Sequence, residues 1–198
     1  MHIRDFRVAD FEQVFECYQR GFPEGHNRYS LARLVRWYEI NGRVGTFLVA
    51  EEDGKVVGVI IGIPTPQRAW ITGLTVLPEY RGLFKLYPVK LIISLILRFM
   101  EMGFTEAYAT TGRPDMKRLA DLTGAELISE EANFYFDGRS RWLYRISFGL
   151  LSKYQSRITK WRPQKLGAPY VHFLHQSSLT RREWISLPLK GTFKGLIC

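Results

Sequence analysis

The chain has 198 residues, of which 46% are hydrophobic and 24% charged, and its formal net charge is +9. This balance is typical of a globular protein and excludes a mostly disordered one, which combines few apolar residues with high net charge. Only two cysteines, Cys17 and Cys198, are present, so a disulfide scaffold is excluded. The charged N-terminus has no apolar stretch typical of a signal peptide, and we expect a cytoplasmic protein.

Positive charge is concentrated towards the C-terminus. Residues 1–146 hold 19 Lys and Arg against 18 Asp and Glu, whereas residues 147–198 hold nine against one. Aromatic residues are interleaved with these charges. We therefore predict two parts, a body over 1–146 and a basic, aromatic extension over 147–198. The extension either packs back onto the body or attracts an acidic protein surface, a nucleic acid or an anionic membrane.

The first part of the body predicts two helices and four strands. Alternating apolar residues predict a strand over 2–8, and helical spacing predicts a helix from Asp10, as N-cap, to Gly21. A second helix is expected over 30–40. Three strands follow over 46–51, 55–63 and 69–77, and Asp53-Gly54 predicts a hairpin between the first two.

A long apolar helix is predicted over 85–102. Its apolar run, 91–97, is far shorter than the roughly 20 residues needed to span a bilayer, and it indicates a helix buried on more than one side. Next come a strand over 104–110, a helix over 113–123 and strands over 125–128, 132–136 and 142–146. An antiparallel meander followed by a strand–helix–strand crossover predicts an α+β fold with a mixed sheet.

The segment 74–86, LTVLPEYRGLFKL, carries the chemistry. It predicts a strand, a tight turn at Pro78 and the start of a helix. Free backbone N–H groups and the positive end of the dipole at a helix N-terminus bind phosphate, and Arg81 and Lys85 add charge there. Gly82 allows the backbone to approach a ligand closely. The alternative is an ordinary strand–turn–helix with a solvated arginine.

With this segment, the sequence resembles the Gcn5-related N-acetyltransferase (GNAT) superfamily. IRDFRVADFEQVFECY is similar to the first strand and helix of that family, FLVAEEDGKVVGVIIG to its second and third strands, and LTVLPEYRG to its fourth strand and acyl-CoA loop. The resemblance covers about residues 2–146. It implies a central mixed, mostly antiparallel sheet flanked by helices, which binds acetyl-CoA as co-substrate and needs no metal.

The resemblance also implies roles for individual residues. Leu74, Thr75 and Val76 would lie beside the acyl group and the pantetheine arm, with a backbone N–H near Val76 facing the oxyanion. Thr111, in the strand end at 109–112, would line the other side of the arm. The pyrophosphate loop would comprise Arg81, Gly82, Leu83, Phe84, Lys85 and Leu86.

Three departures from the family pattern stand out. Phe84 and Leu86 occupy positions that are usually small, and their side chains are expected to crowd a loop that encloses phosphate. Ala120 stands four residues before Gly124, where active members often carry the tyrosine that protonates the leaving thiolate. The fourth strand also lacks the glutamate that many members use as base.

Substitutes for the missing acid and base can be named. Loop 22–29, where the family binds the acceptor, contains Glu24, His26 and Tyr29, and His26 is a candidate base because histidine side chains can accept a proton near neutral pH. Tyr108 on the fifth strand is a candidate proton donor. The alternatives are a solvated loop histidine and a tyrosine that only packs.

These observations favour an acyl-CoA-dependent N-acyltransferase that transfers an acetyl group to a small-molecule or protein amine. The alternative is a catalytically inactive GNAT-like module, docked into a larger assembly such as a phage virion through its basic extension. In that case the protein would be virion-associated. A third hypothesis makes the extension a nucleic-acid clamp, with affinity that falls steeply as salt rises.

Overall fold

A computed structural model describes residues 2–22, 31–42, 44–81, 86–135 and 138–149. Its first helices and strands are β1 (His2–Asp5), α1 (Phe11–Gly21), α2 (Leu31–Trp37), β2 (Phe47–Glu52), β3 (Lys55–Pro64) and β4 (Ala69–Val76). These are followed by α3 (Tyr87–Glu101), β5 (Glu106–Thr111), α4 (Pro114–Leu122), β6 (Glu126–Glu131) and β7 (Arg141–Ser147). Short 3-10 turns precede α1 at Val8–Asp10 and follow β4 at Pro78–Tyr80, and a π-helical turn, Tyr38–Gly42, extends α2.

The strands form one seven-stranded mixed sheet in the order β1-β2-β3-β4-β5-β7-β6. Strands β1 to β4 make the predicted antiparallel meander, and β6 and β7 are also antiparallel. Asp53 and Gly54 both take positive φ in the β2–β3 turn, which is the two-residue geometry that the Asp-Gly pair predicts. The predicted α+β class is confirmed.

The described residues divide into two compact units, one over 2–107 and 147–149 and the other over 108–146. In the first unit, α1 and α3 pack on the meander. Six consecutive α3 residues, from Ser94 to Phe99, are buried, which confirms the prediction of a helix covered on more than one side. Cys17 is a fully buried packing thiol, and burial raises its pKa to about 12.

Asp10 stabilises the entry to α1 differently from the expected N-cap. Its carboxylate makes no capping bond to α1; it accepts a hydrogen bond from the backbone N–H of Arg7 at 2.7 Å and a bidentate pair from the Arg4 guanidinium at 2.6 and 2.9 Å. Strand β1 ends at Asp5, so the predicted strand over 2–8 is too long. The residues that follow form a 3-10 turn that Asp10 closes.

In the second unit, the predicted strand over 132–136 is wrong for its described residues. Residues 132–133 form a turn in which Asn133 has a φ of +53°, and β6 extends to Glu131. Phe134 and Tyr135, which contributed to the predicted strand, lie instead in the segment after β6 and pack against other residues. Phe134 lies under the Arg141 guanidinium, 3.7 Å from ring centroid to cation, and the Tyr135 ring covers the backbone of Gly112.

Within the described ranges, no helix is long and apolar enough to cross a membrane. The C-terminal segment from 150 onwards lies outside the described residues, so the boundary at 146/147 and the extension beyond it stay predictions.

Candidate functional site

The end of strand β4 departs from regular pairing close to the predicted acyl site. Val59 faces Thr75 and Ile61 faces Thr72, so Gly73 and Leu74 together lie opposite Ile60. Gly73 has a φ of +59°, in the left-handed region that glycine tolerates. This is a β-bulge, a feature that occurs often beside active sites and leaves one residue outside the regular ladder.

The side chains after the bulge are directed into the core from opposite faces of the strand. The Thr75 hydroxyl lies against α1, 3.5 Å from the carbonyl oxygen of Cys17. The side chain of Val76 and the side chain of Leu91 of α3 both lie next to Gly58. Thr75 and Val76 are each 3% exposed. These two residues can therefore offer a ligand along the strand only backbone groups, and the Val76 carbonyl already accepts a hydrogen bond from Arg81.

Helix α1 approaches β4 at its last residue, Gly21. A Cβ built at this position would lie 1.9 Å from the Thr75 hydroxyl oxygen, so a side chain there would collide with the strand. The glycine that the sequence suggested as a helix stop is thus also required for close packing of helix on strand.

The Arg81 guanidinium joins the same two elements. Its Nε donates to the carbonyl of Val76 at 2.7 Å, and its Nη2 donates to the carbonyl of Gly21 at 2.5 Å. A second bridge runs from Arg20 to both carboxylate oxygens of Glu79 at 3.0 Å. Two arginines therefore hold the C-terminal end of α1 against the turn after β4.

Leu86 precedes α3 in a strained conformation. Its φ is +47° and its ψ +21°, which places a leucine in left-handed backbone, and 51% of the residue is exposed. Glycine is the residue that adopts this conformation at little cost. Leu86 occupies a position that is usually small in the family, and the structure shows this leucine in left-handed backbone just before α3. Pro88 lies in the first turn, where a missing N–H is tolerated.

Tyr87 attaches the start of α3 to the end of β2. This residue is 2% exposed, and its hydroxyl donates to the Glu52 carboxylate at the end of β2. Burial, together with the hydrogen bond to this carboxylate, raises the pKa of the tyrosine well above its ordinary value. The phenol therefore stays protonated and holds α3 on β2.

The second unit contains two further predicted residues, on β5. Tyr108 is half-buried, and the strand, predicted over 104–110, begins at Glu106 and ends at Thr111. The Thr111 hydroxyl accepts a hydrogen bond from the N–H of Arg113 at 3.0 Å and so fixes the entry to α4. Ala120 lies on α4, as the sequence predicts for the position that lacks a tyrosine.

The other candidate site residues lie outside the described residues: Glu24, His26, Gly82, Leu83, Phe84 and Lys85. Their roles stay predictions. Among the residues that are described, no group of three or more His, Cys, Asp or Glu side chains is placed to hold a metal ion.

Sequence reasoning missed Tyr18, which ties α1 to the bulge. Its hydroxyl donates to the carbonyl of Gly73 at 2.8 Å. Nothing in the sequence pointed to this partner, which is 55 residues away.

The bulged fourth strand, the turn and the following helix, set on a four-stranded meander, define a GNAT-type acetyltransferase fold. Residues 11–83 match the model of the acetyltransferase (GNAT) family. The resemblance seen in the sequence is thereby confirmed.

Solved structures share this fold. Ard1 from Thermoplasma volcanium is 20% identical with a TM-score of 0.64, over 73% of this chain and 95% of that one. Ribosomal-protein-alanine N-acetyltransferase from Brucella melitensis is 21% identical with a TM-score of 0.62, over 74% and 99%. The NatC complex bound to Gag peptide and CoA is 15% identical with a TM-score of 0.60, over 74% and 99%.

Proposed function

We propose that the protein is an acyl-CoA-dependent N-acyltransferase that transfers an acetyl group from acetyl-CoA to an amine. The observation that carries this proposal is the bulge in β4 at Gly73, immediately before Leu74, Thr75 and Val76. It lies within the segment matched by the acetyltransferase family. The similar structures include one bound to CoA and one named for acetylation of a protein amine.

The described residues fit a CoA thioester. Because Thr75 and Val76 bury their side chains against helices, the strand is left with backbone groups to pair with an amide-bearing pantetheine arm. The positive end of the α3 dipole suits a pyrophosphate. Residues 81–86 would form the phosphate loop.

The transfer is direct. The acceptor nitrogen attacks the thioester carbonyl carbon, a C–N bond forms, and the C–S bond breaks to release the CoA thiolate. The amine gives up one proton and the thiolate takes one, so the reaction needs no oxidant or metal. In this proposal Glu24 or His26 accepts the proton from the amine, water supplies one to the thiolate, and a backbone N–H near Val76 stabilises the oxyanion.

Calorimetric titration with acetyl-CoA and with CoA tests the co-substrate site. We expect binding in the micromolar range, weakened at least about tenfold in Arg81→Ala. Arg20→Ala is the matched control, because Arg20 also joins α1 to the turn after β4 but through Glu79. Binding should stay within about twofold of wild type in this control.

An acceptor screen follows, in which CoA release is measured with peptides that bear a free N-terminal amine and with small amines. Turnover with any of them supports the enzyme. Absence of acetyl-CoA binding at millimolar concentration would overturn the proposal and leave the alternative, an inactive module that docks through residues 147–198.

A further inference from the structure

We propose that Tyr18 is a positioning residue for acyl transfer, whose hydroxyl fixes the bulged peptide between Gly73 and Leu74. The inference rests on the proposed function, because it assigns Tyr18 a part in that same site. Tyr18 lies on the third turn of α1, and its hydroxyl donates to the Gly73 carbonyl at 2.8 Å.

The phenol is held from several directions. Tyr18 is 1% exposed, and its ring stacks on Phe22 with 5.8 Å between centroids and an interplanar angle of 13°. Trp37 of α2 lies on another side, 6.0 Å away between centroids. A buried phenol needs a hydrogen-bond partner, and here that partner is the Gly73 carbonyl at the bulge.

The strand is adapted to this contact. A Cβ at position 73 would lie 2.5 Å from the Tyr18 hydroxyl oxygen, and the φ of +59° independently favours glycine. Glycine is therefore favoured at position 73 for two reasons: the bulge requires a positive φ, and the Tyr18 hydroxyl leaves no room for a Cβ.

The hydrogen bond determines the direction of a backbone donor. A trans peptide is planar, so its N–H is antiparallel to its C=O. When the Tyr18 hydroxyl holds the Gly73 carbonyl, the N–H of Leu74 points away from Tyr18. Leu74 starts the segment along which the thioester is proposed to lie. Tyr18 therefore fixes the orientation of the first peptide of that segment, two residues before Val76, near which the N–H donor to the oxyanion is proposed.

Tyr18→Phe removes the hydroxyl and keeps the ring. We expect kcat to fall about tenfold or more, since a small misplacement of a group at the reacting centre has a large effect on rate. The Kd of acetyl-CoA should stay within about twofold, because the pantetheine arm and the pyrophosphate are proposed to bind other residues. In NMR spectra, the carbonyl resonance of Gly73 and the amide resonance of Leu74 should both shift.

Tyr144→Phe is the matched control. Tyr144 is also 1% exposed, and its hydroxyl donates to Asp121 at 2.8 Å in the other unit. A purely structural role predicts that both variants lose stability and keep the wild-type kcat per folded molecule. If Tyr18→Phe does not fold, Phe22→Leu removes the stacked ring, keeps the hydroxyl, and should lower kcat by a smaller factor.

The outcomes separate the two proposals. An unchanged kcat in Tyr18→Phe, or in Phe22→Leu where that variant replaces it, with an active wild-type protein, overturns the positioning role alone. A wild-type protein that neither binds nor turns over acetyl-CoA overturns the proposed function and this inference with it.

Discussion

The guanidinium of Arg81 donates a hydrogen bond to the carbonyl of Gly21, 60 residues away in the sequence. Gly21 is the last residue of α1, where carbonyl groups lack helical partners and the dipole favours a cation. Because Arg81 also binds the carbonyl of Val76, one side chain joins the end of a helix to the end of β4. Arg81, which the sequence suggests as a source of positive charge for phosphate, thus has a structural role.

Arg81 holds two backbone carbonyls and is also proposed to contribute to acetyl-CoA binding. Arg81 variants should therefore lose both stability and acetyl-CoA affinity, and the two losses can be measured separately. Arg81→Ala should lower the free energy of unfolding by about 1 to 2 kcal/mol, because two backbone carbonyls lose a charged donor. Arg81→Lys keeps the charge but cannot span both carbonyls, so it should lose stability while retaining more acetyl-CoA affinity than alanine. Urea unfolding and calorimetry on the same preparations measure both effects. Equal stability of all three proteins would contradict the structural role.

Leu86→Gly should relieve left-handed strain at the start of α3. Strain of about 1 to 2 kcal/mol at a non-glycine residue is offset in part by the greater entropy of glycine in the unfolded chain, so we expect a net gain of up to about 1 kcal/mol. Leu86→Ala keeps the Cβ and is the control, with no such gain. Chemical denaturation distinguishes them, and greater stability of the alanine variant would show that Leu86 is not strained.

Gly21→Ala should be strongly destabilising, by about 2 kcal/mol or more, because its Cβ collides with the Thr75 hydroxyl. Thr75→Ala removes that oxygen, so the double variant should lose less than the sum of the single changes. Gly149→Ala, whose Cβ would have its nearest neighbour at 3.7 Å, is the control and should have little effect. Thermal unfolding of the four proteins tests this, and strict additivity would refute the contact.

Asp10 makes the fold sensitive to acid. Burial raises the pKa of its carboxyl, but hydrogen bonds from Arg4 and from the Arg7 N–H outweigh burial and hold this pKa below the ordinary value. The contribution of Asp10 to stability is therefore complete above the unfolded pKa of about 3.9 and is lost as the pH falls through the folded pKa.

The matching experiment compares Asp10→Asn with the wild type. The variant should be about 1 to 3 kcal/mol less stable at pH 7, and this difference should shrink below about pH 4. Glu131→Gln, which breaks the exposed pair with Arg141, should change little at either pH. Urea unfolding at pH 7 and pH 3 measures the difference, and a constant gap would contradict the role of Asp10.

Most helices and strands could be predicted from the sequence because turn residues and the spacing of apolar residues within a segment largely determine which element it forms. The Asp53-Gly54 turn, the helical spacing around Val14 and Tyr18 and the apolar run of α3 each report which residues a segment buries. The strand expected over 132–136 was wrong where described because its aromatic residues pack against partners distant in the sequence. Tyr135 on Gly112 is one example.

The candidate site was predictable only as a segment. The string from Val76 to Gly82 located the turn and the helix start, since Pro, Arg and Gly at that spacing have a local meaning. The β4 bulge could not be read from AWITGLTV, because Gly73 acquires its left-handed φ through the register with β3 and the contact with Tyr18.

By itself, the sequence determined the α+β class, the order of most elements, the family resemblance and the concentration of positive charge after residue 146. Periodicity, turn residues and charge are properties of neighbouring residues. Only the tertiary structure decided that Gly21 must be a glycine, that Arg81 bridges α1 and β4, and that Tyr18 holds the bulge. Each of these depends on atoms 54 to 60 residues apart that are brought within hydrogen-bonding or van der Waals distance by the packing of α1 on β4.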